Sequence, residues 1–117
     1  VSRFLKTDRG QKIILTSEIM RFLIENLEGS RKDLAYTAQY LLGRCLGAAA
    51  AEKAQELGVK KVYVSGGAAV NHILLKSIAD GSECTLKVNR IIPPGDGGIA
   101  VGQVYAAGIL DSQKFER

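Results

Sequence analysis

The stretch Val62-Tyr63-Val64-Ser65-Gly66-Gly67-Ala68-Ala69-Val70-Asn71 constrains this chain more than any other. Its β-branched start predicts a short buried strand, its glycine pair a turn, and the residues beyond the start of a helix. A strand that ends in glycines at a helix N-terminus is a common device for holding an anion. Backbone amides point outward, the helix dipole adds partial positive charge, and the missing side chains let a phosphate come close. A second glycine loop, Pro93-Pro94-Gly95-Asp96-Gly97-Gly98, follows one strand later and opens another helix.

The rest of the chain reads as support for these loops. Val1 to Gly10 is polar and mixed, and predicts a frayed start or a connection from something upstream. Lys12-Ile13-Ile14-Leu15 fits a short strand or an extended lead-in. Thr16 or Ser17 then caps a helix in which Ile19, Met20, Leu23, Ile24 and Leu27 recur at helical spacing, and Gly29 stops it. Ser30 or Asp33 begins the longest element, a helix of about 24 residues and about 36 Å, ended by Gly58. Leu34, Ala38, Leu41, Cys45, Ala49 and Ala54 share one of its faces. Gly43 and Gly47 lie one turn apart inside it, and each costs about 1 kcal/mol relative to Ala. Such a pair implies a second backbone passing very near, from within this chain or from a neighbouring lobe or subunit.

A strand from Lys60 to Val64, a helix from Asn71 to Ala79, a strand from Thr85 to Val88 and a last helix from about Gly97 to Leu110 complete the order. A polar tail begins at Asp111. The strand–helix–strand unit predicts a parallel crossover. Two clear strands are few for an independent sheet. The pattern is that of part of a larger α/β body, or of a protomer that needs a partner.

The 117 residues amount to one domain or part of one. The net charge of +4 is spread along the chain. Arg31-Lys32 and Lys60-Lys61 carry no interleaved aromatics, so they predict a solvated basic surface rather than a nucleic-acid interface. Cys45 and Cys84 show no metal-ligand spacing, which fits a reducing compartment. No signal peptide and no membrane-length apolar run is visible, so the expected location is the cytoplasm.

Among residues that could carry chemistry, Gly66 and Gly67 leave room for a phosphate. Ser65 adds a hydroxyl donor. Asn71 either caps the helix it opens or offers its amide to a ligand. The flanking glycines, Gly97 among them, expose the Asp96 carboxylate and let a cation or phosphate lie near the backbone; equally, Asp96 suits a turn or an N-cap. In a parallel unit both loops leave the carboxyl ends of their strands, where ligands bind. His72 is the single histidine and reads as a surface residue at a helix start. No Walker pattern, no GxGxxG fingerprint and no nucleophile–base arrangement is present.

The two motifs together, Val64-Ser65-Gly66-Gly67-Ala68-Ala69-Val70-Asn71 and Ile92-Pro93-Pro94-Gly95-Asp96-Gly97-Gly98-Ile99-Ala100-Val101-Gly102-Gln103, resemble the C-terminal end of the HypF carbamoyltransferases of nickel–iron hydrogenase maturation. Related tRNA threonylcarbamoyl transferases share a similar pair. The resemblance extends back through the long helix to Thr16-Ser17. It implies an α/β fold that is the C-terminal portion of an actin/hexokinase-like (ASKHA) nucleotide-binding fold, with residues 1–117 forming a single lobe. It implies nucleotide-phosphate contacts at Gly66, Gly67 and Asn71, a metal ligand at Asp96, and ATP or carbamoyl adenylate with a divalent metal as cofactors.

In that family two histidines of an HxxxH-like motif in the other lobe complete the metal site, and this sequence has no such motif. It also lacks the acylphosphatase-like, zinc-finger and carbamoyl-adenylate-forming segments. The implied reaction makes carbamoyl adenylate from carbamoyl phosphate and ATP, then passes the carbamoyl group to the C-terminal cysteine of HypE. The implied partners are a complementary N-terminal lobe, a HypE-like acceptor, or a second copy in a homodimer through the Gly43/Gly47 face. The alternative is a catalytically inactive binding or assembly module that keeps the fold but lacks the partner lobe. A generic Rossmann-type cofactor domain fits less well, for want of the fingerprint and of strands.

Overall fold

The computed structural model describes residues 1–115. A 3-10 turn (Ser2–Phe4) leads into β1 (Leu5–Asp8) and β2 (Gln11–Ile14), followed by α1 (Thr16–Glu25) and α2 (Arg31–Glu56). Then come β3 (Lys61–Val64), a 3-10 turn (Gly67–Val70), α3 (His72–Asp80), β4 (Thr85–Val88) and α4 (Gly97–Phe115).

The N-terminal segment is an antiparallel hairpin and not the frayed start its polarity suggested. Leu5 pairs with Ile14 and Asp8 with Gln11. Arg9 and Gly10 between them both have positive φ, 48° and 77°, as a two-residue turn matched to strand twist requires. The hairpin is anchored by Phe4, which is buried and meets Phe22 edge-on. Phe4, Ile19, Leu23 and Cys45 form the buried cluster, with Leu34, Ala38 and Leu41 against it. The apolar face expected on α1 therefore divides: Ile19 and Leu23 turn inward while Met20, Ile24 and Leu27 are exposed. Neither Thr16 nor Ser17 caps α1; Leu15 holds the N-cap position without a side-chain bond. The helix also ends before Gly29, at Asn26, whose Nδ2 donates to the Phe22 carbonyl.

Helix α2 ends as its glycine predicts. Gly58 has φ 65°, its amide donates to Gln55 O and that of Val59 to Ala54 O, the pair of bonds that closes a Schellman motif. The close backbone demanded by Gly43 and Gly47 is α3 of the same chain. A β-carbon on Gly43 would lie 2.9 Å from Leu74 O, and one on Gly47 2.9 Å from Gly81 Cα. Gly43 and Gly47 are buried there. This corrects the proposed use of that face for self-association, because α3 already fills it.

β3 and β4 pair in parallel, Lys61 with Thr85 through Val64 with Val88. Val62 and Val64 are half-buried, but Tyr63 between them is 74% exposed. Parallel sheets are normally covered on both faces; this one has a bare side. Helix α4 is exposed along most of its length, including Ile99, Val101, Val104, Tyr105 and Leu110. The consequences show in the whole molecule. Its accessible surface is 8950 Å², against about 6,200 Å² for a compact monomer of this mass. Its radius of gyration is 18.3 Å, where about 13 Å is usual. No described helix is long and apolar enough to cross a membrane.

Candidate functional site

The two glycine loops meet at the carboxyl ends of β3 and β4. The Gly66 amide donates to Pro94 O at 2.6 Å, and Ser65 Oγ donates to the same carbonyl at 3.2 Å. A β-carbon on Gly95 would lie 3.9 Å from Gly67 Cα. Gly66 has φ 96° and ψ 170°, a combination open in practice to glycine alone. Its amide is thereby spent on joining the loops rather than left for a ligand.

The amides that remain belong to the residues after it. The first bond of the 3-10 turn runs from Ala69 N to Gly66 O, so the Gly67 and Ala68 amides precede any partner within the turn. In the second loop, Gly98 N donates to Gly95 O and Ile99 N to Asp96 O. Asp96 thus occupies the N-cap position of α4, and the Gly97 amide stands at the positive end of that helix. The glycine pair opens a 3-10 turn, and α3 begins only at His72, an exposed residue.

Between the loops lies a cleft of about 300 Å³ lined by Ser65, Gly66, Asn89, Pro93, Pro94, Gly95, Asp96, Gly98 and Ile99. Of the expected site residues, Ser65, Gly66 and Asp96 come together here. Gly67 stands at its edge against Gly95, and a β-carbon on Gly97 would lie 3.7 Å from the Pro93 ring. Asn71 is turned elsewhere. Its Oδ1 accepts from Ile73 N at 3.0 Å and Leu74 N at 3.1 Å, and its Nδ2 donates to Gln39 Oε1 of α2 at 2.6 Å. Sequence reasoning missed Asn89 and Gln39. Asn89 was visible in principle, as the first polar residue after a parallel strand; Gln39 was not, since its partner lies 32 positions away.

The Asp96 carboxylate is exposed. Among the described residues no three His, Cys, Asp or Glu side chains gather as a metal set. The oxygen donors near the cleft are Asp96, Ser65 and Asn89. One carboxylate with neutral oxygens fits a hard cation that shares its shell with a ligand's phosphates and water. It does not fit a cage built from this chain alone.

Residues 3–103 match the family model described as a carbamoyltransferase, Kae1-like domain, second subdomain. The chain belongs to this family. Carbamoyltransferase HypF2 of Cupriavidus necator is 41% identical over 56 residues, covering 45% of this chain and 7% of that protein. The crystal structure of T. kodakarensis HypF superposes with a TM-score of 0.72 at 33% identity, covering 86% of this chain and 14% of that one. The chain therefore spans a small fraction of the length of both HypF relatives. The matched region takes in both glycine loops and the whole of the α2–α3 seam, which agrees with the resemblance those loops carried.

Proposed function

We propose that the chain is the C-terminal lobe of a HypF-type carbamoyltransferase, of actin/hexokinase-like fold, and that its two glycine loops form one wall of a nucleotide-phosphate site. The observation that carries this reading is the bond from Gly66 N to Pro94 O. It ties the ends of two parallel strands together. The unpaired amides of Gly67 and Ala68 and the N-terminus of α4 are thereby held at one end of the sheet, where an anion gains from both.

The chemistry of the cleft favours phosphate with a cation over phosphate alone. Asp96 is negative and would repel a bare phosphate, so a divalent cation between the two resolves the conflict. Asp96 would hold it, with Ser65 and Asn89 near. When bound, the cation neutralises phosphate charge. The chain's own residues orient the phosphates by backbone donation and leave the other side of the cleft open. A complementary N-terminal lobe would close that side and cover α4 and the bare face of β3–β4. Carbamoyl transfer toward hydrogenase maturation, from carbamoyl adenylate to a HypE-like thiol acceptor, would belong to the closed assembly and not to this lobe alone.

The test is calorimetric titration of ADP, with and without magnesium, into the chain paired with a complementary HypF lobe. Magnesium-dependent binding is expected, weakened at least about tenfold by Asp96→Asn, the smallest loss typical even of groups one step removed from a metal. Asn also serves as an N-cap, so the fold should be unaffected. Lobe association without any ADP binding would sink the nucleotide reading and leave a silent assembly module.

A further inference from the structure

We infer that Gln39 is a positioning residue for the first glycine loop, acting through Asn71; the inference rests on the nucleotide-phosphate reading for the ligand it serves. The direction of every bond in this link is fixed by chemistry. Asn71 Oδ1 must accept, because both groups facing it are backbone amides, Ile73 N and Leu74 N. The other end of the same planar amide is then the donor Nδ2, and it meets Gln39 2.6 Å away. Gln39 must present Oε1 there. Its own Nε2 is thereby directed to the Ala35 carbonyl, one turn back on α2, at 3.2 Å. The chain of bonds runs without a break from the α2 backbone, through two side-chain amides, into the first turn of α3.

The location gives the link its use. Asn71 is the hinge between the 3-10 turn and α3: its amide donates back to Ala68 O, and its carbonyl accepts from Leu75 N. Fixing the Asn71 side chain therefore fixes where the turn Gly67–Val70 ends. That turn is four residues long and carries the amides of Gly67 and Ala68. Its start is held by the bond from Gly66 N to Pro94 O and its middle by the buried Ala69, while the space beside Gly66 and Gly67 is open, with nothing within 4 Å of a β-carbon placed on either; Asn71 fixes the remaining end. α2 is a suitable anchor, because Gly43 and Gly47 lock it against α3 further along. Gln39 is half-buried on that helix and is not among the residues that line the cleft between the loops. Asn71 itself, with both ends of its amide engaged, shapes the loop rather than reading the ligand.

The experiment uses the chain paired with a complementary HypF lobe, ADP with magnesium as the probe, and amide hydrogen exchange at Gly67 to Val70 in the unliganded assembly. Gln39→Leu keeps the volume and removes both bonds. Asn71→Ser keeps an N-cap oxygen but cannot reach Gln39. Each is expected to weaken ADP binding about three- to tenfold, the range of one part-buried hydrogen bond. Combined, they should lose little more than either alone, because each breaks the same link. Gln39→Glu retains an acceptor for Asn71 Nδ2 although it can no longer donate to Ala35 O, and should lose clearly less affinity than Gln39→Leu. A generic destabilisation of α2 would not produce that rescue. Exchange at Gly67 to Val70 should quicken in Gln39→Leu and not in Gln39→Glu. Wild-type affinity and exchange in Gln39→Leu, or losses that multiply in the double variant, would overturn the inference. Absence of ADP binding by the wild-type assembly would count against the nucleotide reading, while exchange at the loop would still decide whether Gln39 positions it.

Discussion

Gly47 of α2 and Gly81 at the end of α3 approach so closely that a β-carbon on Gly47 would sit 2.9 Å from Gly81 Cα. From the other side, a β-carbon on Gly81 would lie 2.7 Å from the Arg44 carbonyl oxygen of α2. Arg44 adds a bond from its guanidinium to the Asp80 carbonyl beside the seam. Backbone faces backbone here, so neither side can yield by rotating a side chain.

Gly47→Ala should therefore destabilise the fold although Ala is the better helix former. The gain in helix propensity, about 1 kcal/mol, is outweighed when helices are forced apart, which costs about 1–3 kcal/mol or more. Gly102→Ala is the matched control: Gly102 also lies inside a helix, with nothing within 4 Å of an added β-carbon. It should raise stability by up to about 1 kcal/mol. Denaturant midpoints of the two variants are expected to move in opposite directions.

The seam also marks how far the sequence could be read. Two glycines one turn apart announced a close neighbour but not its identity, because Gly81 lies far along the chain. The loop pairing was legible, since Ser65 and Pro94 each follow a strand of the same parallel unit and parallel strands deliver their ends to one side. The hairpin was legible in half: Lys12-Ile13-Ile14-Leu15 marked its second strand, found at Gln11–Ile14, but Lys6 and Thr7 of the first are polar and exposed, so no alternation of burial marked it, and only Asp8-Arg9-Gly10 carried a turn signal. The link from Gln39 to Asn71 left no local trace, because it forms only once α2 lies against α3.

Gly66→Ala tests the joint between the loops. At φ 96° and ψ 170° a β-carbon strains the backbone by about 1–3 kcal/mol. The space around it is open, so the cost is conformational and not steric crowding by neighbours. Relaxing the strain rotates the amide away from Pro94 O. Thermal stability is expected to fall modestly. ADP affinity of the assembled protein should fall further than in Gly67→Ala, where φ is not positive. Equal losses in both variants would show that the joint does not matter to the site.

The two cysteines should separate by reactivity and by pH. Cys45 has no exposed surface, whereas Cys84 is half-buried. Burial pushes the Cys45 thiol above its ordinary value, partly offset by the positive N-terminus. A thiol reagent should label Cys84 first and Cys45 only as the chain unfolds. As pH rises past about 8.5 the thiol ionises in the unfolded chain first. The folded state keeps its proton longer, so folding takes up a proton and stability declines with rising pH. This contribution is fully present at neutral pH and is lost through the alkaline range up to the raised folded value. In urea titrations at neutral and alkaline pH, Cys45→Ala should lose less stability over that interval than the wild type, though it begins lower for want of the sulfur's contacts.

Helix α4 makes the demand for a covering lobe directly measurable. Val104 and Tyr105 are 75% and 72% exposed on a helix whose other side chains are mostly apolar or small. A helix apolar on all sides belongs in an interior. Val104→Glu should make the isolated chain more soluble and less prone to associate, since it removes an exposed apolar contact and adds charge. In the assembled protein the same change should weaken the bond between lobes by about tenfold or more, the equivalent of exposing one buried Val side chain, before the cost of burying a carboxylate is counted. Sedimentation velocity of the chain alone and titration against the complementary lobe read the two effects separately. A variant that associates with the lobe as tightly as the wild type would mean that α4 is not the face the lobe covers, and that the excess surface of the chain is buried through the open side of β3 and β4 instead.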